Sequence, residues 1–278
     1  MLTKSKLKEI FLKYDLAPLK RLGQNFLIDG NIKDKVIKEA GVSKDDIVLE
    51  IGPGLGALTL DLASLANKVI AVEKDKKACA VLKDLAGTDT KNLEVYNEDI
   101  LKFDLRKSFS GRKIKVVGNL PYYITTPIIE YLVDNRKMVG SAVIMVQREV
   151  AARLLASPGA EDYSSLSCFV HYFTRPEYIY TVKRGSFYPS PDVDSSILRL
   201  TFLDKPSVYV NDEERFFRIV RGAFNQRRKS LINSLSREAV LNIPKERLSA
   251  TLKSINIDPS VRPETLSLAQ FAKIANAV

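Results

Sequence analysis

Histidine occurs once (His171) and cysteine twice (Cys79, Cys168) in 278 residues. One imidazole and two thiols cannot assemble a zinc site from Cys and His ligands, so no metal centre is expected. Two cysteines are too few for a disulfide framework and suit a reducing compartment. All three side chains read as ordinary packing. No apolar run approaches the roughly 20 residues needed to cross a bilayer. The opening stretch MLTKSKLKEIFLKYDL has no uninterrupted apolar segment and carries Glu9 and Asp15, which argues against a signal or transit peptide. These absences point to a cytoplasmic protein with no membrane partner. Internal repeats and low-complexity segments are missing too, so the chain reads as one sizeable core with a smaller satellite domain.

What is abundant is positive charge: 43 Lys and Arg against 33 Asp and Glu, a net +10. An excess of this size favours a polyanionic partner. It is also clustered. Arg215, Arg218, Arg221, Arg227, Arg228, Lys229 and Arg237 follow one another with no acid between them. Near the N-terminus lie Lys4, Lys6, Lys8, Lys13, Lys20 and Arg21. A solvated helix face usually mixes both signs; a single-sign cluster suits phosphate neutralisation with counterion release.

From about residue 31 to 203, short apolar runs alternate with helical patterns. The runs are Ile47–Ile51, Val69–Val72, Leu93–Tyr96, Ile114–Val117 and Ala142–Val146. Their near-continuous apolar character predicts strands buried on both faces of a parallel sheet. Segments such as Leu58–Leu65 and Pro127–Val133 read as the intervening helices, giving a doubly wound α/β domain. Tyr178–Val182 and Ser196–Phe202 follow without a helix between them, as an antiparallel finish to the sheet. Beyond Pro206 the pattern is helical only. Asn211–Phe224 puts Phe216, Ile219, Val220, Ala223 and Phe224 on one face and Arg215, Arg218 and Arg221 on the other. A second helix is expected over Arg228–Glu238, a third from Pro244, and a fourth after Ser267, whose spacing to Gln270 is that of a capping box. The expected domains are therefore residues 1–205 and 206–278.

Motifs sit where the expected strands end. Glu50-Ile51-Gly52-Pro53-Gly54-Leu55-Gly56 closes the first run and opens a helix; its glycines permit a tight turn and close ligand approach. The spacing is G-x-G-x-G, not the G-x-G-x-x-G of dinucleotide folds. Glu73 ends the second run, where an acid can accept hydrogen bonds from both ribose hydroxyls. Glu98 and Asp99 end the third, where a carboxylate can accept from an adenine amine. A site this acidic, with no phosphate cradle, suits a sulfonium such as S-adenosylmethionine better than NAD. Asn119-Leu120-Pro121-Tyr122 ends the fourth run. The N6 amine of adenine is a poor nucleophile because its lone pair is delocalised into the ring. The amide oxygen of Asn119 and the carbonyl of Leu120 can each accept one N6–H bond, which drives the nitrogen towards tetrahedral geometry. Pro121 stiffens the turn, and Tyr122 can stack on the base. Such acceptors act by orientation and electrostatics.

In this order the motifs resemble those of the ribosomal RNA adenine dimethyltransferase family, in its small-subunit branch, over essentially the whole chain. Arg21-Leu22-Gly23-Gln24-Asn25-Phe26-Leu27 resembles the family's entry motif, and Phe187-Tyr188-Pro189-Ser190-Pro191 its F-x-P-x-P loop. Ala223–Lys229 and Arg262–Ser267 are similar to its C-terminal signatures. The resemblance implies a Rossmann-like, seven-stranded methyltransferase sheet with a small all-helical C-terminal domain. It implies that Gln24 and Asn25 hold the methionine end of S-adenosylmethionine, with Leu27, Glu50, Gly52, Gly54, Gly56, Glu73, Asp99 and Asn119 completing the cofactor site. It places Phe187 against the target adenine beside Asn119, Leu120, Pro121 and Tyr122. Arg21, Arg215, Arg218, Arg221, Arg227, Arg228 and Lys229 become RNA contacts. Asp192 and Ser164 depart from the family, which usually has a basic residue and a glycine there. The implied activity is N6,N6-dimethylation of adenosines, two of them adjacent, near the 3′ end of small-subunit rRNA. The implied partner is a 30S-type assembly intermediate, bound by a monomer. A macrolide-resistance methyltransferase acting on large-subunit rRNA, or a mainly non-catalytic assembly factor, are the alternatives; a NAD-dependent oxidoreductase is disfavoured by the glycine spacing and by Asn119–Tyr122.

Overall fold

The computed structural model describes residues 2–19, 22–88, 90–109, 112–226, 229–236 and 243–278. Strands run in chain order as β1 (Phe26–Leu27), β2 (Ile47–Ile51), β3 (Lys68–Glu73), β4 (Leu93–Asn97), β5 (Ile114–Asn119), β6 (Val139–Gln147), β7 (Thr174–Val182), β8 (Phe187–Tyr188) and β9 (Ser195–Phe202). Seven form one sheet in the order β4-β3-β2-β5-β6-β9-β7, and β1 and β8 make a separate two-stranded ribbon. Strands β4, β3, β2, β5 and β6 pair in parallel, and β9 is antiparallel to β6. The seven-stranded α/β sheet expected from the sequence is therefore present.

Its centre owes its place to side-chain chemistry. Val48, Leu49, Val69, Ile70, Val117, Ala142 and Ile144 are all solvent-excluded. Burying one such aliphatic side chain stabilises by about 1.5–3 kcal/mol. Strand β4 departs from the expectation of burial on both faces. It lies at the sheet edge, and none of its residues is fully buried. Its sequence Leu-Glu-Val-Tyr-Asn alternates apolar with polar, which suits an edge and not a centre. The chain winds outward from β2 through β3 to β4 and then returns to place β5 on the other side of β2. The loops after β2 and β5 consequently diverge, and the crevice between them is the position where open α/β sheets bind ligands.

Contacts divide the chain into two compact units, Met1–Ala151 with Glu177–Phe202, and Ala152–Pro176 with Leu203–Val278. A cut at 205/206 misses the earlier crossing. Its cause is aromatic: in the helix Ser165–Phe173, Tyr172 stacks on Phe216 with ring centroids 5.0 Å apart, and Phe173 on Phe217 at 5.6 Å. Both partners belong to the helix Glu213–Phe224, capped by Asp212, whose side chain accepts the Arg215 N–H. The helix Lys245–Ser254 begins directly after Pro244, and Ser267 and Gln270 form the capping box of the helix Leu268–Ala277. Where Arg228–Glu238 was expected to be helical, the described part is Leu231–Leu235; Arg228, Arg237 and Glu238 lie outside the described residues.

Gly118 shows how tightly β2 and β5 are joined. It pairs with Ile51, and a Cβ at this position would sit 2.7 Å from the Ile51 carbonyl oxygen and 3.1 Å from the Leu120 side chain. Backbone of a central strand cannot yield as a side chain can. Gly118→Ala is expected to cost about 1–3 kcal/mol through overpacking, measured as a lower urea midpoint; an unchanged midpoint would show that the two strands separate freely.

Candidate active site

One cleft of about 990 Å³, its open mouth included, lies at the carboxyl ends of β2, β3 and β5. It gathers Gln24, Asn25 and Leu27 from the β1 region and Glu50, Gly52 and Gly54 from the end of β2. Glu73 and Asp99 join them from the ends of β3 and β4, and Asn119 to Tyr122 from the end of β5. The residues from Glu50 to Tyr122 meet because each lies at the end of a parallel strand facing the same way, and the antiparallel β1 ribbon adds Gln24, Asn25 and Leu27.

Glu73 ties the walls together. Its Oε2 accepts the Gly54 N–H at 3.0 Å and its Oε1 the Asp75 N–H at 2.8 Å. Burial pushes its pKa up, while those backbone N–H groups pull it down. Glu50 is more extreme. It is 1% exposed, its Oε2 has no hydrogen-bond partner among the described residues, and burial pushes its pKa up to about 8, with the Thr59 hydroxyl opposing the rise and Glu73 adding to it. Asp99 is held below the usual carboxylate range, chiefly by Lys74, whose Nζ lies 2.8 Å from Oδ2; its Oδ1 accepts the Leu101 N–H. Among the described residues, four acids, Glu50, Glu73, Glu98 and Asp99, face one lysine, Lys74, around this cleft. Such a surface repels phosphates and favours a ligand that is cationic and rich in donors.

The loop after β5 is fixed by backbone and side chain alike. Leu120 N–H donates to the Met145 carbonyl at 3.0 Å, Thr125 Oγ1 donates to the Pro121 carbonyl at 3.2 Å, and the Tyr122 and Ser195 hydroxyls share a 2.7 Å hydrogen bond. Asn119 Nδ2 donates to the Asn25 carbonyl at 2.9 Å. With the donor end of this amide engaged, its Oδ1 is the end left to accept a hydrogen bond.

Three expected residues stand differently. Gly56 does not line the cleft. At φ +84°, a Cβ there would meet Leu82 Cδ1 at 2.6 Å, so this glycine serves the packing of the helix Lys76–Ala86. Phe187 is also absent from the lining. It is 2% exposed in a core cluster with Leu27, Met145 and Ile197, and it pairs with Leu27 across the ribbon. It backs a wall of the cleft and does not form it. Gln24 lines the cleft, but its amide is taken at both ends by Leu19 and Asp75.

Sequence reasoning overlooked Tyr123, half exposed at the rim, along with Gly23 and Met145 in the lining. The doubled aromatic Tyr122-Tyr123 was the available signal for the first. Met145 carried none, since it lies mid-run in β6.

In the helical unit Arg215 and Arg221 are exposed, and each already has an intramolecular contact: Arg215 Nη1 donates to the Val278 carbonyl at 2.8 Å and Arg221 Nε to the Phe217 carbonyl at 3.3 Å. Arg218, expected on the same outer face, is only partly exposed, and its Nε is buried with no hydrogen-bond partner among the described residues. The helix carrying it packs against four other elements of the unit. Lys229 is exposed; Arg21, Arg227 and Arg228 lie outside the described residues.

Glu50 makes stability depend on pH. Unfolded, its carboxyl ionises near its ordinary value of about 4.3; folded, it holds its proton up to about 8. The folded state therefore binds more protons between those limits. The stabilising contribution is complete below the lower limit and is lost as pH rises to the upper one. Glu50→Gln keeps the shape and removes the ionisation. The melting temperature of the ligand-free variant is expected to exceed the parental one at about pH 9 by more than at about pH 5; a difference independent of pH would mean that Glu50 is not titrating in this range.

Residues 19–278 match the model of the family described as Ribosomal RNA adenine dimethylase. The chain is 45% identical over 275 residues to Ribosomal RNA small subunit methyltransferase A of Alkaliphilus oremlandii, covering 98% of this chain and 95% of that protein. It is 45% identical to the protein of the same name from Geobacillus thermodenitrificans, covering 99% and 96%. Among solved structures, a dimethyladenosine transferase from Plasmodium falciparum superimposes with a TM-score of 0.78 at 31% identity over 90% of this chain and 95% of that one. The 23S rRNA methyltransferase ErmE does so with a TM-score of 0.72 at 26% identity over 91% and 99%. With an Asn-Leu-Pro-Tyr loop at the end of β5, an acidic cleft at the switch point of the sheet and this match over nearly its whole length, the chain belongs to the ribosomal RNA adenine dimethylase family.

Proposed function

We propose that this protein transfers methyl groups from S-adenosylmethionine to the N6 amines of adenosines near the 3′ end of small-subunit rRNA, forming N6,N6-dimethyladenosine at two adjacent positions. In this reading it acts in the cytoplasm as a monomer on a 30S-type assembly intermediate. The observation that carries the reading is the orientation of Asn119: its amide nitrogen is committed to the Asn25 carbonyl, so its oxygen is the end offered to an incoming amine.

The cleft fits the cofactor. A buried carboxyl oxygen of Glu50 with no partner among the described residues matches a donor-rich cation, and the acidic lining matches a sulfonium. In this reading Glu73 accepts from the ribose hydroxyls and Asp99 from the adenine amine, and Gly52, Gly54 and Asn25 allow close approach. When bound, S-adenosylmethionine supplies an electrophilic methyl group. The protein's own residues orient the acceptor. Asn119 Oδ1 and the Leu120 carbonyl accept the two N6 hydrogens and localise the nitrogen lone pair, Tyr122 lies against the base, and Pro121 keeps the turn from relaxing. Phe187 supports this wall from behind.

One comparison favours the small subunit: the relatives at 45% identity carry small-subunit names, while the large-subunit enzyme shares 26%. Radiolabelled methyl transfer offered in parallel to small subunits, large subunits and DNA tests the reading; label entering large subunits alone would overturn it.

In the same assay, under single turnover with saturating cofactor, Asn119→Ala is expected to slow transfer by about 10²–10³, the usual loss for one preorganised polar contact. Asn119→Asp keeps an acceptor and should retain more activity than the alanine variant. Transfer at the parental rate by Asn119→Ala would reduce this residue to a turn former. For the basic cluster, replacing Arg221, Arg227 and Arg228 by Ala should weaken RNA binding while leaving cofactor affinity intact. Each phosphate left without its arginine should flatten the slope of log affinity against log salt by roughly 0.7–0.9; an unaltered slope would make these residues a solvated face.

A further inference from the structure

Gln24 spans two parts of the chain with a single amide. Its Oε1 accepts the Leu19 N–H at 2.8 Å, and its Nε2 donates to Asp75 Oδ2 at 2.7 Å. Asp75 is buried and does not line the cleft. Its other oxygen accepts the Lys77 N–H at 3.0 Å as the N-cap of the helix Lys76–Ala86, and its own N–H donates to Glu73. One residue past Gln24, Asn25 holds its turn by donating from Nδ2 to the Gly23 carbonyl at 3.0 Å, and its main-chain carbonyl accepts Nδ2 of Asn119. A continuous path of hydrogen bonds and one peptide unit therefore runs from Asp75 through Gln24 and Asn25 to Asn119.

The two ends of an asparagine amide are nearly equal in shape and opposite in hydrogen-bonding sense. What tells them apart at Asn119 is the acceptor at Asn25. If that carbonyl moves away, the amide can turn and present its NH2 group to an amine, donor against donor.

We propose that Asp75 is a positioning residue for methyl transfer: acting through Gln24, it clasps the segment 22–25 where the Asn25 carbonyl selects the productive orientation of the Asn119 amide. The inference rests on the function proposed above. It also changes the expected part of Gln24, from a hand on the cofactor to one half of a clasp.

The clasp can be reversed without changing its shape or its net charge. Asp75→Asn keeps a good N-cap but sets an NH2 group against Gln24 Nε2. Gln24→Glu sets a carboxylate against Asp75. In the double variant, Asp75→Asn with Gln24→Glu, the carboxylate at position 24 accepts from both the Leu19 N–H and the amide at position 75, so the clasp re-forms with its polarity exchanged. Single-turnover methyl transfer to small subunits, with cofactor saturating, is expected to fall about tenfold or more in each single variant and to recover by about tenfold in the double, as expected for residues that interact directly. Affinity for S-adenosylmethionine, measured by calorimetry, should change less than about threefold in Asp75→Asn, since the clasp acts on the acceptor side. A second readout needs no turnover. Exchange of the Leu19 N–H and of the Asn119 side-chain amide protons, followed by NMR in the cofactor-free protein, should quicken about tenfold in either single variant and slow again in the double, following the loss and return of local protection. A double variant no faster than the slower single overturns the proposal. Cofactor affinity falling in step with the rate overturns it as well, because the segment would then be holding cofactor and not aiming Asn119. Should the parental protein methylate no small subunits, the functional reading fails by itself, and the exchange of the Asn119 amide still decides the clasp: unchanged exchange in Asp75→Asn refutes it.

Discussion

A buried carboxylate must find hydrogen-bond donors or give up its charge, and the site is organised around that demand at Glu73. The donors it finds are the N–H of Gly54, in the turn after β2, and the N–H of Asp75, at the start of the following helix. Meeting its own need, Glu73 closes the glycine turn against the end of β3 and sets Asp75 in register to reach Gln24. Glu50 lies next to it with a similar need unmet. One carboxyl thus builds the walls while its neighbour keeps an oxygen that finds no partner among the described residues.

Charge is partitioned within the molecule in a way that composition alone conceals. The net excess is positive, yet among the described residues the cleft is lined by four acids and one lysine, and that lysine is paired with Asp99. The single-sign run of arginines belongs to the helical unit. A polyanion and a sulfonium make opposite electrostatic demands, and a chain serving both must separate the surfaces that answer them.

Much of this was legible in the sequence because parallel strands give each motif an address. Glu50–Gly56, Glu73, Asp99 and Asn119–Tyr122 could be assigned to strand ends by apolar runs, and strand ends of one sheet converge. What lacked an address was misread. Gly56 belongs to the same glycine motif as Gly52 and Gly54, and only the nearness of Leu82 shows its different use. Phe187 has the right neighbours in sequence but turns into the core opposite Leu27. Gln24 lines the cleft, and its hydrogen bond to Asp75, 51 positions away, has no local signature. The half-exposed edge strand β4 was written in its alternating sequence and passed over because its run looked apolar enough. The helix Ser165–Phe173 reads as one more apolar segment, and nothing in its own composition reveals that its aromatic partners lie beyond residue 210.

That helix has a consequence for how the chain can be made. Its rings, Phe169, Tyr172 and Phe173, are matched by Phe216 and Phe217 of a helix that leaves the ribosome more than forty residues later. Until then three aromatic side chains wait without their cover, in the middle of a chain whose sheet is itself unfinished until β9 emerges. Neither compact unit is a continuous stretch of polypeptide, so neither can be completed before most of the protein has been synthesised. A chain stopped near residue 205 would be an α/β unit burdened with an aromatic helix deprived of its partners, and aggregation would be its natural fate.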